Sequence, residues 1–158
     1  MIELKVEKVA INLNSKMPVI ILKEKEGERV FPLWTRVFEA RAIVFGLEKN
    51  IEPPRPLTHD ITKSLMEKLD GKVDKVVIVD LIGNTFYARI LIQRSGENAE
   101  IDSRPSDAIA LALRFKVPIF IDERVLNKVA AASKPIKDEE VKDFKKKLKD
   151  LKPEDFTR

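Results

Sequence analysis

Five polar residues, Asp102, Ser103, Arg104, Ser106 and Asp107, crowd into the positions just ahead of a segment of Ala, Ile, Leu and Phe in IDSRPSDAIALALRF (101–115). Two kinds of work would account for them. In the first, Ser103 or Ser106 caps the free amides of a helix, Pro105 suits its first turn, and Asp107 favours the positive end of its dipole. This leaves Arg104 and Asp102 over, because a cation at a helix N-terminus is unfavourable unless a carboxylate or a bound anion sits against it. The second is phosphodiester chemistry, in which Arg and backbone amides hold a phosphate while carboxylates bind a divalent metal or accept a proton from water.

A similar combination stands earlier in the chain. Arg55-Pro56-Leu57-Thr58-His59-Asp60 precedes an amphipathic segment as Arg104-Pro105-Ser106-Asp107 precedes the apolar one, an internal pseudo-repeat of Arg-Pro, hydroxyl and aspartate. If the two mouths meet, they form a cleft with two guanidinium groups, free backbone amides and paired carboxylates. Arg55, Thr58, Ser103, Arg104 and Ser106 are then the candidate substrate-binding residues, and His59, Asp60, Asp102 and Asp107 the catalytic ones. His59, the only histidine, is either a structural partner of a helix cap or a proton shuttle near neutral pH. Asp102 and Asp107, joined by Asp60, are the carboxylates available to share Mg²⁺ or Mn²⁺ with water completing the shell. No ligand spacing in the sequence marks a metal site. Glu39, among Val37, Phe38, Ala40 and Ala42, reads as structural: pairing with Arg36 or Arg41 is the ordinary account, and a bridge to Arg55 or Arg104 would instead tie helices together.

These residues need elements to position them. Ile2, Leu4 and Val6 alternate with charged residues, Val19–Leu22 is a second apolar run, and Arg29–Trp34 a third, which predicts three strands. From Thr35, a candidate N-cap, apolar residues recur at helical spacing toward Asn50. The prolines of IEPPRP (51–56) then impose a connector. Thr58 is the candidate N-cap of a helix to Leu69, with Ile61, Leu65, Met66 and Leu69 on one face and Gly71 beyond its end. Lys75–Leu81 and Thr85–Gln93 form a hairpin about Gly83-Asn84, and a further short strand ends at Ile101. The polar mouth opens a third helix, which ends before Val117-Pro118. Ile119–Ile121 is a buried strand, followed by a helix over about 122–132. Val141, Phe144, Leu148 and Leu151 make residues 134–158 an amphipathic helix and tail. The fold class expected is α+β, a mainly antiparallel sheet with packed helices in one domain over 1–158.

Composition narrows the function classes. The chain is 44% hydrophobic and 35% charged, with net charge +4 and no cysteine. Disulfides, thiolate metal sites and cysteine nucleophiles are therefore excluded. The basic excess is mild and mostly interleaved with acids, so it favours encounter with polyanions without specifying one. The amino-terminal segment MIELKVEKVAINL lacks the apolar run of a signal peptide or membrane span, giving a cytoplasmic, non-membrane expectation. Abundant Lys and Glu without Cys would suit a thermophile's protein.

The motifs PRPLTHD (54–60), GNTFYA (83–88), IDSRPSDAIALAL (101–113) followed by PIFI (118–121), and LKPEDF (151–156), in this order, resemble the bifunctional nuclease domain family. The resemblance implies a nuclease that hydrolyses phosphodiester bonds in DNA and RNA with low sequence specificity, as plant members are described to do, and hence a nucleic-acid partner. Thr35-Arg36-Val37-Phe38 replaces the small, Gly-containing segment with which relatives enter their first helix. The chain also reads as the bare domain, without the further carboxy-terminal helical module of many bacterial relatives. The alternative expectation is a non-catalytic nucleic-acid- or anion-binding regulatory domain. A third is a homo-oligomer packed through apolar helices such as Ala108–Phe115.

Overall fold

The computed structural model describes residues 1–11, 16–48 and 53–132. The strands are β1 (Ile2–Ile11), β2 (Pro18–Glu24), β3 (Val30–Trp34), β4 (Lys72–Ile82), β5 (Thr85–Arg94), β6 (Glu97–Ser103) and β7 (Ile119–Ile121). They form one sheet in the order β3-β2-β1-β7-β4-β5-β6. Neighbours are antiparallel except β4 and β7, which run parallel because a helix carries the chain back from β6. The expected hairpin is present: Gly83 and Asn84 both take positive φ, 53° and 65°, and Ile82 pairs with Thr85. Ser95 and Gly96, at φ 52° and 85°, make a second tight turn that extends β6 to Ser103, beyond the short strand expected.

The helices are α1 (Val37–Leu47), α2 (Thr58–Lys68), α3 (Pro105–Phe115) and α4 (Glu123–Ala132). The expected helix within 134–158 lies outside the described residues, as does the LKPEDF motif. α3 lies on β4 and β5 with α1 and α2 packed against it. Its Ala108–Ala112 segment is buried, and Ile109 is the centre of a core built from Ile20, Leu22, Ile43, Val76, Ala88 and Ile121. α3 therefore gives its Ala108–Ala112 segment to the core of the chain, with Leu113 and Phe115 partly buried against it. β2 is buried on both sides: Ile20 and Leu22 face that core, and Val19 and Ile21 join Ala10 in a smaller cluster.

α1 and α3 approach closely at Gly46, where a Cβ would come 3.0 Å from Leu113 Cβ. α2 departs from expectation. Of its four apolar residues only Met66 packs on the core, and Ile61, Leu65 and Leu69 form an exposed stripe. The helix is also held by polar contacts to α3, and three of its four apolar residues turn outward. None of the described helices is long and apolar enough to cross a membrane.

Candidate functional site

The first turns of three helices meet. Arg36 is the N-cap residue of α1, Leu57 of α2 and Arg104 of α3, and no side chain at these positions caps the helix. This corrects three cap assignments. Thr35 precedes the cap of α1, Thr58 is already the first helical residue of α2, and neither Ser103 nor Ser106 caps α3. The Ser103 hydroxyl donates to the Arg104 carbonyl, and Ser106 is buried beneath the mouth. Each helix has an acid three residues after its cap, Glu39, Asp60 and Asp107, where negative charge meets the positive end of the dipole. By this register the Arg-Pro pairs do not correspond: Arg104 is the cap itself, whereas Arg55 lies two residues before the cap of α2.

A chain of charges links the mouths. His59 Nε2 on α2 lies 3.1 Å from Asp107 Oδ1 on α3. Arg104 Nε donates to Asp107 Oδ2 at 2.6 Å, and Arg104 Nη1 lies 2.8 Å from Glu39 Oε1 on α1. An ionised carboxylate only accepts hydrogen bonds, so neutral imidazole facing Asp107 carries its proton on Nε2 and leaves Nδ1 as the acceptor. His59 is 14% exposed and Arg104 64% exposed, so the imidazole is sheltered while the guanidinium keeps an edge to solvent. Asp107, followed by Glu39, raises the Arg104 pKa, so its charge is permanent. The stretches 55–60 and 102–107, distant along the chain, are neighbours.

Asp60 is engaged differently. Its Oδ2 accepts the Leu57 N–H at 2.7 Å, half of a capping box, and its Oδ1 accepts Arg114 Nε at 2.5 Å. Arg114 is 7% exposed and also donates through Nη1 to the carbonyls of Ala42 and Ala110, both at 2.9 Å. Burial pushes the Asp60 carboxyl up, but Arg114 and the Leu57 amide outweigh it and hold it below the usual range. Asp60 thus anchors α2 to α3 and, through Arg114, to α1.

The remaining expected residues lie at the margin. Asp102, on β6, faces Arg89 at 3.4 Å and is 64% exposed. Thr58 and Arg55 are exposed, and Arg55 has no ion-pair partner among the described residues. No group of three His, Asp or Glu side chains converges on a metal position among the described residues. Asp107 has both oxygens on cationic partners or imidazole, and Asp102 pairs with Arg89 instead of joining it. The pair does not fit a shared Mg²⁺ or Mn²⁺ in this arrangement.

Three residues at or beside the mouths were not among the expected site residues. Glu39 reaches Arg104, not Arg36 or Arg41, and Arg41 stacks over the Phe45 ring at 5.4 Å instead. Arg36 occupies the α1 mouth, and Arg114 sits at the far end of α3. A signal for the first two existed: Arg36-Val37-Phe38-Glu39 repeats the spacing of Arg104-Pro105-Ser106-Asp107, a closer echo than Arg55–Asp60. Arg114 carries no local mark, because its partners lie on three different helices.

Comparison with known proteins gives consistent results. A family model described as a bifunctional nuclease domain matches residues 20–134. An uncharacterized protein of Mycobacterium tuberculosis is 36% identical over 98% of this chain and 97% of its own length. Bifunctional nuclease 1 of Oryza sativa subsp. japonica is 32% identical over 67% of this chain, a match spanning 33% of the rice protein. Bifunctional nuclease 1 of Arabidopsis thaliana is 25% identical, again over 67% of this chain and 34% of its own.

Proposed function

The chain belongs to the bifunctional nuclease domain family, and on that premise we propose that it hydrolyses phosphodiester bonds in DNA and RNA, with low sequence specificity, where the mouths of α1, α2 and α3 meet. The observation that carries this reading is the approach of His59 Nε2 to within 3.1 Å of Asp107 Oδ1, on a carboxylate that Arg104 also holds. Arg104, with Arg55 and the uncapped amides beside Thr58 and Ser106, binds the phosphate. His59, oriented by Asp107, accepts a proton at Nδ1 from an attacking water. The water oxygen bonds to phosphorus, the ester P–O bond breaks, and the departing oxygen takes up the proton that the imidazole received. Arg104 offsets the charge that develops on the phosphoryl oxygens. In this reading Asp60 and Ser103 shape the mouth, and Asp102 lies at its rim.

Turnover of labelled single-stranded DNA and RNA, with and without Mg²⁺ or Mn²⁺, tests the proposal. His59→Asn and Arg104→Ala should each lower kcat/KM by about 100-fold or more while the fold is retained. Wild-type protein that leaves both oligonucleotides intact under every condition refutes it. One observation favours a second reading, a binding domain without catalysis: the carboxylates at the mouth are each engaged by a cation, an amide or the imidazole. Affinity that falls steeply with salt and yields no product would support that reading.

A further inference from the structure

We propose that Glu39 is a positioning residue of this site, acting on His59 through Arg104 and Asp107; its catalytic consequence rests on the nuclease reading, its structural one does not. Glu39 stands in the first turn of α1, 12% exposed, and its Oε1 takes Arg104 Nη1 at 2.8 Å. Its Oε2 is buried and has no hydrogen-bond partner among the described residues. A buried oxygen without a donor is a cost that a plain tie between two helices does not require.

The guanidinium explains what the arrangement does. It is planar and rigid, so fixing Nη1 on Glu39 and Nε on Asp107 fixes its plane. Held this way, Arg104 presents one nitrogen to Asp107 Oδ2 and leaves Oδ1 to the imidazole. Without Glu39 the fork is free to turn two nitrogens onto Asp107 in the bidentate geometry that guanidinium and carboxylate prefer, which occupies both carboxylate oxygens. The imidazole must then share Oδ1 with a second guanidinium nitrogen, which weakens its hold on that oxygen and, with it, the preference for carrying the proton on Nε2. Glu39 therefore reserves Oδ1 for His59 from a different helix, without touching the imidazole itself.

Because His59 is the only histidine, its ring nitrogens can be followed unambiguously by ¹⁵N NMR of the full chain at a pH where the ring is neutral. Wild type should show predominantly the Nε2–H form. Glu39→Gln, which keeps the side-chain shape, should move the spectrum toward the tautomer mixture of Asp107→Asn, and Glu39→Asp serves the same comparison if the Gln variant does not fold. Where wild type cleaves an oligonucleotide, Glu39→Gln should also lower kcat about tenfold with KM within about twofold. A Glu39→Gln spectrum identical to wild type, with only a lower melting temperature, would overturn the proposal and leave Glu39 a tie between α1 and α3. Wild type without turnover removes the nuclease reading, and the tautomer measurement still decides the role of Glu39.

Discussion

Replacing Arg114 with Ala removes one side chain from three helices at once. The guanidinium donates to Asp60 Oδ1 on α2, to the Ala42 carbonyl on α1 and to the Ala110 carbonyl one turn back on α3. Breaking a buried ion pair from one side costs about 3–5 kcal/mol, because the remaining charge is left without its partner. Asp60 is 35% exposed and keeps the Leu57 amide, so water recovers part of that cost. The Ala42 carbonyl loses a charged donor in a half-buried site, worth about 1–2 kcal/mol. Together these place the destabilisation at about 3 kcal/mol, a fall in melting temperature of roughly 6–12 °C for a chain of this size. Urea unfolding at neutral pH measures it directly. The pH dependence supplies a second check. The Asp60 carboxyl titrates below its unfolded value, so the folded state binds its proton less readily than the unfolded state does. The contribution of the pair is complete above about pH 4 and is lost as pH falls through the folded value. The difference between wild type and Arg114→Ala should therefore shrink in acid. A loss below about 0.5 kcal/mol, or one independent of pH down to about pH 3, would refute the assignment of Arg114 as the tie between the three helices.

Gly46→Ala gains helix propensity of about 1 kcal/mol but sets a methyl 3.0 Å from Leu113 Cβ, attached directly to the α3 backbone. Overpacking should prevail, giving a net loss of about 1 kcal/mol by chemical denaturation. Ile109→Ala, at a fully buried position in the centre of the core, should cost about 2–5 kcal/mol in the same assay. Leu65→Ser on the exposed stripe of α2 should change stability by less than about 0.5 kcal/mol, and a larger loss would show that the stripe is covered in solution. Binding of a single-stranded oligonucleotide should weaken as salt rises, with a shallower slope in Arg55→Ala, read by fluorescence anisotropy.

Most of the architecture was legible in the sequence because it is carried by local rules. Alternation marked β1, Gly83-Asn84 marked the hairpin of β4 and β5, and the apolar run from Ala108 marked the buried helix. The misreadings have physical causes. The α2 stripe reads as a core face, but burial depends on what the neighbouring elements offer, and α3 meets α2 with Asp107 and Arg114. Ser and Thr beside a helix start read as caps, yet the caps are Arg36, Leu57 and Arg104, because chain entry and side-chain partners outweigh the propensity of single residues. The sequence by itself determined which residue types stand at each helix mouth and that their pattern recurs. Only the tertiary structure decided who pairs with whom: Glu39 with Arg104, Asp107 with His59, and Asp60 with Arg114. Those pairs join residues 48 to 65 positions apart. No periodicity in the chain encodes such separations; they are set by how α1, α2 and α3 pack on the sheet and bring their N-terminal turns to one place.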